Sequence, residues 1–181
     1  MEIRRTTEND WEALRDVRLR ALAEAPQAFG SSLERERERT EAEWRQWAGR
    51  GRTGRGVTFV GVLDGWFVGL AGGFPEEEHP DAVHLVSMWV DPSVRRTGAG
   101  RALVAAVVDW ARERGARRVH LWATDGNEPA IALYRSFGFE STGNHQPLPS
   151  NPDLPESEYR LVLVHSDGST SDSTRGRRDA T

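Results

Sequence analysis

The chain has 181 residues and a net charge of −4, with no cysteine, no lysine and 24 arginines against 28 acidic residues. That length suits one domain burying about 70 % of the surface its unfolded chain exposes, and the composition excludes a thiol nucleophile, a disulfide framework, a Schiff-base lysine and a P-loop lysine, while the negative balance argues against a broad nucleic-acid surface. No apolar run reaches the ~18 residues of a transmembrane helix and Met1–Arg5 lacks the form of a signal peptide, so a soluble, cytoplasmic protein with no membrane or nucleic-acid partner is expected.

Taken in chain order, residues 2–6 read as a first strand. Thr7 is placed to cap a helix over 8–24, with Asp10 in its first turn and an apolar side of Leu14, Val17, Leu19, Ala21 and Leu22. Residues 26–32 are a loop, and Glu34–Arg39 alternates acid and base as a solvated, self-paired face would. Thr40-x-x-Glu43 is a capping box opening a short helix through Ala48 that carries Trp44 and Trp47 on one face. Residues 57–63 and 66–74 are strands joined by Asp64-Gly65, a strong hairpin signal.

After an acidic loop, Pro75–Pro80, a long strand covers 82–90. A helix over 101–114 points Leu103, Val104, Val107, Val108 and Ala111 inward, and Gly115 suits its C-terminal cap. A strand at 119–123, a helix at 127–137 that tolerates Pro129 in its first turn, and strands at 139–141 and 159–164 complete the pattern. Trp11 and Trp110 read as core residues. The expected fold class is α/β: a mixed sheet of six to seven strands with about four helices, spanning residues 1–164. Residues 165–181 hold almost nothing apolar and are expected to be a disordered tail.

The strand at 82–90 and the strand at 119–123 are joined through one helix, so they are expected to be parallel. In such sheets ligands sit beyond the carboxyl ends of the strands, at the first turn of the crossover helix. That place is occupied here by Arg95-Arg96-Thr97-Gly98-Ala99-Gly100-Arg101. The leading amides of a helix have no intrahelical partner and carry partial positive charge, the two glycines let an anion approach, and Arg95 and Arg96 can add charge-assisted contacts. The pattern therefore reads as a pyrophosphate cradle. A dinucleotide fingerprint would need a third small residue where Leu103 stands, and the acidic residue it wants after the next strand comes late, at Asp125. A glycine-rich helix start with solvated arginines remains the plain alternative.

Arg95-x-x-Gly98-x-Gly100 after Val90-x-Pro92 resembles motif A of the GCN5-related N-acetyltransferase (GNAT) family. Asn127-Glu-Pro-Ala followed by Leu133-Tyr134 and Gly138-Phe139 is similar to that family's motif B. The resemblance is close over residues 57–139 and looser on either side. It implies a sheet whose two parallel central strands splay apart around the pantetheine arm of acetyl-CoA. The main chain of Met88 to Val90 would pair with that arm, Arg95, Arg96, Gly98, Ala99, Gly100 and Arg101 would wrap the pyrophosphate, and Asn127 would touch the arm.

The same resemblance casts Tyr134 as the general acid that protonates the departing CoA thiolate, and directs the acetyl group to a primary amine by direct transfer. The acceptor would be a small-molecule amine or a peptide N-terminus. His84 matches the position of a carboxylate base in one branch of the family. Alternation would place it on the same side of its strand as Val86, Met88 and Val90 unless a bulge intervenes. Glu34 is the second candidate base. The implied acceptor pocket is formed by residues 29–34, Trp44 or Trp47, the loop 75–80, and residues 145–152 of a proline-rich segment, 143–152, that reads as a rigid rim between the last two strands. No metal is implied, and homodimerisation is left open. Two other readings stand beside this one: a catalytically silent acyl-CoA-binding module and, more weakly, a dinucleotide-binding protein.

Overall fold

A computed structural model describes residues 1–163; the tail expected at 165–181 lies outside them. Seven strands form one sheet: β1 (Glu2–Arg5), β2 (Val57–Leu63), β3 (Trp66–Pro75), β4 (Ala82–Val90), β5 (Arg118–Thr124), β6 (Glu140–Leu148) and β7 (Asn151–Val162). Their spatial order is β1-β2-β3-β4-β5-β7-β6. Five helices accompany them: α1 (Trp11–Glu24), α2 (Leu33–Arg37), α3 (Glu41–Ala48), α4 (Ala99–Glu113) and α5 (Glu128–Arg135). The fold is the mixed α/β sheet expected, and β4 and β5 are its parallel pair.

Local chemistry accounts for the element ends. Thr7 N and Oγ1 both donate to Asp10 Oδ2 at the entry to a 3₁₀ turn ahead of α1. Thr40 N donates to Glu43 Oε2 and Glu43 N to Thr40 Oγ1, which closes the capping box of α3. Asp64 and Gly65 turn β2 into β3 with φ of 51° and 82°, the positive values a tight hairpin demands. Gly115 ends α4 at φ 78°.

The two faces of the sheet bury two cores. One holds Val83, Leu85 and Val90 of β4 against Leu103, Val104 and Val107 of α4 and Ile131 and Tyr134 of α5. The other holds Val60, Leu70 and Trp89 against Leu14, Val17 and Leu22 of α1 and Trp44 and Trp47 of α3. A single side chain such as Trp44, 1 % exposed, contributes on the order of 2–3 kcal/mol by burial.

Three expectations are corrected. The run Glu34–Arg39 is solvated and paired within itself except at Glu36: residues 33–37 form α2 and Glu36 is 2 % exposed, because Arg18 of α1 joins Arg39 at its carboxylate. The proline-rich segment 143–152 is not a rim between short strands but the heart of the long β6–β7 hairpin. Prolines are tolerated there because β6 is the edge strand and residues 151–155 of β7 extend beyond its pairing with β5, so the absent N–H groups break no central ladder.

The third correction concerns β4. A bulge lies between the pairs Gly72–Val86 and Leu70–Trp89, with Ser87 at φ 56°. The extra residue reverses the alternation. Val83 and Leu85 face α4, and so do Met88 and Val90, whereas His84 faces the α1–α3 side. The side chain of His84 and those of Met88 and Val90 are thus on opposite faces of the sheet.

Candidate active site

β4 and β5 pair at Ala82–Arg118, Val83–Val119 and His84–His120, and there the ladder ends. β4 runs on to Val90 bonded to β3, and β5 to Thr124 bonded to β7. Between them opens a cleft whose β4 wall is main chain without a sheet partner on that side. This is the splay the sequence resemblance implies.

At the open end stands the N-terminus of α4. The first helical bond there runs from Ala102 N to the Gly98 carbonyl, and among the described residues the amides of residues 96–101 have no backbone acceptor. Gly98 has φ 94°, a conformation that aims the helix start and strains any other residue. Gly100 serves differently: a Cβ there would lie 3.2 Å from Leu133 Cδ2 and 3.3 Å from Met88 Cε, so its bareness lets α4 approach β4 and α5.

The arginines divide their work. Arg95 donates from Nε to the Val90 carbonyl (3.0 Å) and from Nη2 to Glu24 Oε2 (2.6 Å), tying the cradle to β4 and α1. Arg101 donates to Ser136 Oγ and lies over the Phe137 ring, 4.8 Å from its centroid. Arg96 is exposed at φ 68° and has no side-chain partner among the described residues. Of the two arginines expected at the phosphates, Arg95 thus holds Glu24 and the Val90 carbonyl, and the Arg96 guanidinium is uncommitted among the described residues. Asn127 caps α5, its Oδ1 accepting from Ala130 N. Tyr134 is 6 % exposed in the α4–α5 core with its ring 6.0 Å from that of Phe139, and burial pushes its phenol well above the ordinary range.

At the closed end, on the opposite face, His84 stacks on His120 with centroids 4.5 Å apart and meets the edge of Phe74 at 5.1 Å. His120 Nε2 lies 2.8 Å from Glu76 Oε1 and Nδ1 3.4 Å from Glu158 Oε1. Glu158 is held in turn by Thr142 (2.6 Å) and Asn144 (2.8 Å). Burial, then the neighbouring His120 charge, lowers His84 to about 4. Burial also holds His120 below its ordinary value against the pull of the two glutamates. Both imidazoles are therefore neutral near pH 7.

His120 and Glu158 were not singled out from the sequence. A histidine in the apolar run Val119–Ala123, and two glutamates alternating in Glu156-Ser157-Glu158, were the signals available. Ser157 also has polar company, donating to Asp125 Oδ1 (2.5 Å) with His145 Nδ1 3.1 Å away. There the serine stands between acid and histidine, not at the end of the chain where a nucleophile is activated.

The expected acceptor pocket is partly assembled. A cleft of about 690 Å³ is lined by Trp47, Arg39 and Arg50 on one wall and by Phe74, Pro75 and Glu76–His79 on the other. Phe74 and Glu76 connect it to His84 and His120. Trp44 lies behind Trp47, stacked at 5.2 Å and buried, and does not line the cleft. Glu34 is exposed and is not among the lining residues either; the buried carboxylate of that segment is Glu36. The loop at 26–30 meets the β6–β7 turn instead, with Ser150 Oγ donating to the Phe29 carbonyl, beside the end of β5 where Thr124 Oγ1 donates to the Gln27 carbonyl.

Comparison with known proteins agrees with this geometry. Residues 12–139 match the Acetyltransferase (GNAT) family. A mycothiol acetyltransferase of Thermomonospora curvata is 32 % identical over 121 residues, 66 % of this chain and 37 % of that protein. An uncharacterized N-acetyltransferase of Methanocaldococcus jannaschii is 32 % identical over 87 residues, 48 % of this chain and 35 % of that protein. The chain thus spans well under half the length of these relatives. The solved ribosomal-protein-alanine N-acetyltransferase of Brucella melitensis superposes with a TM-score of 0.71 at 28 % identity, over 90 % of this chain and all of that one. A putative acetyltransferase from Salmonella typhimurium, solved with its cofactor acetyl-CoA, shares the fold with a TM-score of 0.76 at 20 % identity, over 100 % of this chain and 99 % of that one. With its parted central strands and its bare helix N-terminus, the chain belongs to the GNAT acetyltransferase family.

Proposed function

We propose that the protein is an N-acetyltransferase that moves the acetyl group of acetyl-CoA to a primary amine by direct transfer. The observation that carries this reading is the end of β4–β5 pairing at His84–His120, which opens a main-chain edge beside the unpartnered amides of α4. An amide-bearing arm matches that edge, and a pyrophosphate matches those amides and Arg96. Acetyl-CoA offers both groups, and when bound supplies an activated acetyl carbonyl and a thiolate leaving group.

The residues then take these roles. The main chain of Met88 to Val90 orients the arm, and an amide of that edge polarises the reacting carbonyl. Tyr134, kept protonated by its burial, gives its proton to the departing sulfur and takes back the proton that the attacking nitrogen sheds as the tetrahedral intermediate collapses, which restores the phenol. An alkyl amine is mostly protonated at neutral pH and must lose a proton before it attacks. His120, stacked on His84 and flanked by Glu76 and Glu158, accepts it, and Glu76, at the mouth of the lined cleft, passes it to solvent. Without cysteine, no acyl-thioenzyme is available to the chain.

Acetyl-CoA is expected to raise the melting temperature where NAD does not, and an amine panel read by released CoA is expected to show turnover. A response to NAD alone would overturn the family's cofactor for this chain. Binding of acetyl-CoA without turnover on any amine would favour the silent acyl-CoA-binding module.

A further inference from the structure

Three guanidinium groups surround one indole. The Cζ atoms of Arg18, Arg39 and Arg50 lie 5.4, 5.4 and 5.0 Å from the Trp47 ring centroid. They come from α1, the α2–α3 junction and the residue two beyond α3, so only the tertiary fold assembles them. Inside this group, among the described residues, one buried carboxylate is present: Glu36, shared by Arg18 and Arg39. Arg18 is 5 % exposed, yet its Nε and Nη1 have no hydrogen-bond partner among the described residues. Trp44 Nε1, on the indole stacked against Trp47, is also buried without a partner among the described residues.

The buried charges of Arg18 and Glu36 balance, but buried donors exceed acceptors, and the half-buried Arg39 and Arg50 add two positive charges with Glu36 as the one carboxylate inside the group. Burial, with the charges of Arg39 and Arg18, brings Arg50 down to about 10, so it is crowded by like charge and still cationic near neutrality. The packing of Trp47 on Trp44 and the cation–π contacts account for part of this cluster, but they neutralise no charge.

Arg39, Arg50 and Trp47 form one wall of the 690 Å³ cleft, with Arg55 beside them. The facing wall carries Glu76, Glu77 and Glu78 and leads through Phe74 and Glu76 to the histidine pair. Glu43 also lines the cleft, but its carboxylate is engaged by Thr40 N and Oγ1. One wall is thus basic and the other acidic, and the acidic wall is the one adjoining the proton acceptors.

We infer that the acceptor is an amine that also bears an anionic group, a carboxylate or a phosphate, and that Arg39 and Arg50 over Trp47, with Arg18 behind them, bind that group while the amine points toward Glu76 and His84–His120. The inference rests on the N-acetyltransferase reading for its amine end. Its anion end stands on the arginine cluster alone.

The test pairs acceptors that differ only in the anion: 6-aminohexanoate against hexylamine, and 2-aminoethyl phosphate against ethanolamine. CoA release should give kcat/KM at least about tenfold higher for the anionic member, a factor one charge-assisted contact supplies, and the better of the two pairs identifies carboxylate or phosphate as the group recognised. Arg50→Met should raise KM for that acceptor about tenfold while kcat moves much less, as loss of uniform binding does, and Arg50→Lys should recover part of the loss.

A second measurement needs no turnover: tryptophan fluorescence titrated with acetate or inorganic phosphate at constant ionic strength. A saturable change in the wild type that Arg50→Met abolishes supports the subsite even if no tested amine is acetylated. Equal use of both members of each pair overturns the inference and leaves the acetyltransferase reading standing. A fluorescence response without saturation, or one unchanged in Arg50→Met, overturns it whatever the kinetics.

Discussion

At its open end the cleft between β4 and β5 is lined by main chain, and at its closed end by side chains. The open end consists of the β4 edge to Val90 and the amides at the start of α4, with Gly98 and Gly100 shaping the approach. Its side chains mostly brace it: Arg95 holds Glu24 and the Val90 carbonyl, Arg101 holds Ser136, and Asn127 caps α5. The closed end is His84 on His120, Glu76 and Glu158 about them, and, across the lined cleft, the Arg18–Glu36–Arg39 group around Trp47. A backbone site accepts many side-chain changes and serves one invariant ligand. A side-chain site can be rewritten residue by residue, which suits the part of the molecule that chooses the acceptor.

Substitutions at the two ends should therefore behave differently. The largest effect is expected from Glu36→Ala, which leaves Arg18 buried and uncompensated: a loss of about 3–5 kcal/mol of stability by urea unfolding. A loss under 1 kcal/mol would mean that the closed end is less tightly built than its burial implies. Tyr134→Phe should next lower kcat by about 10²-fold with the Kd for acetyl-CoA unchanged. Unchanged turnover would return Tyr134 to a packing role beside Phe139.

His84→Phe keeps an aromatic ring on His120 and removes a titrating group. Folding holds His84 near 4, so the unfolded chain binds a proton that the folded protein refuses between that value and about 6.5, the ordinary histidine value. Stability carried by the neutral imidazole is complete above about 6.5 and is lost as pH falls toward 4. The variant should flatten that decline by roughly 1–3 kcal/mol in denaturation series run across the window; a superimposable profile would show that the pair does not titrate as its burial requires. The smallest effect is expected at the open end. Arg95→Ala breaks an exposed ion pair and should cost no more than about 1 kcal/mol, with a correspondingly slight change in thermal unfolding. A larger cost would make Arg95 a structural keystone of the cradle.

The same division decides what could be read before the fold was known. Gly98, Gly100 and the arginines around them are contiguous, and a helix N-terminus after a strand is a local construction, so the bare helix start and the family were legible in residues 88–103 and again in 127–139. The hairpin at Asp64-Gly65, the capping box at Thr40 and Glu43, and the parallel pair joined through α4 are equally local. His84 was legible as a candidate, but its side of the sheet was not: the bulge at Ser87 turns on how β4 packs against β3, and a period-2 reading passes straight through it.

Glu36 looked like one acid in an alternating run because its neighbours in sequence offered it partners. Arg18, eighteen residues away, is what draws it into the interior. His120, Glu76 and Glu158 come from β5, the loop after β3, and β7, and nothing in any one of those segments points to the others. The sequence by itself determined most of the elements, their order and the bare glycine-rich helix start after β4, since these follow from hydrogen bonding and hydrophobic periodicity over a few neighbouring residues. Only the tertiary structure decided the side-chain cluster around His120 and Trp47, since burial and charge pairing between distant segments settle which ionisable side chains leave water and which of them meet.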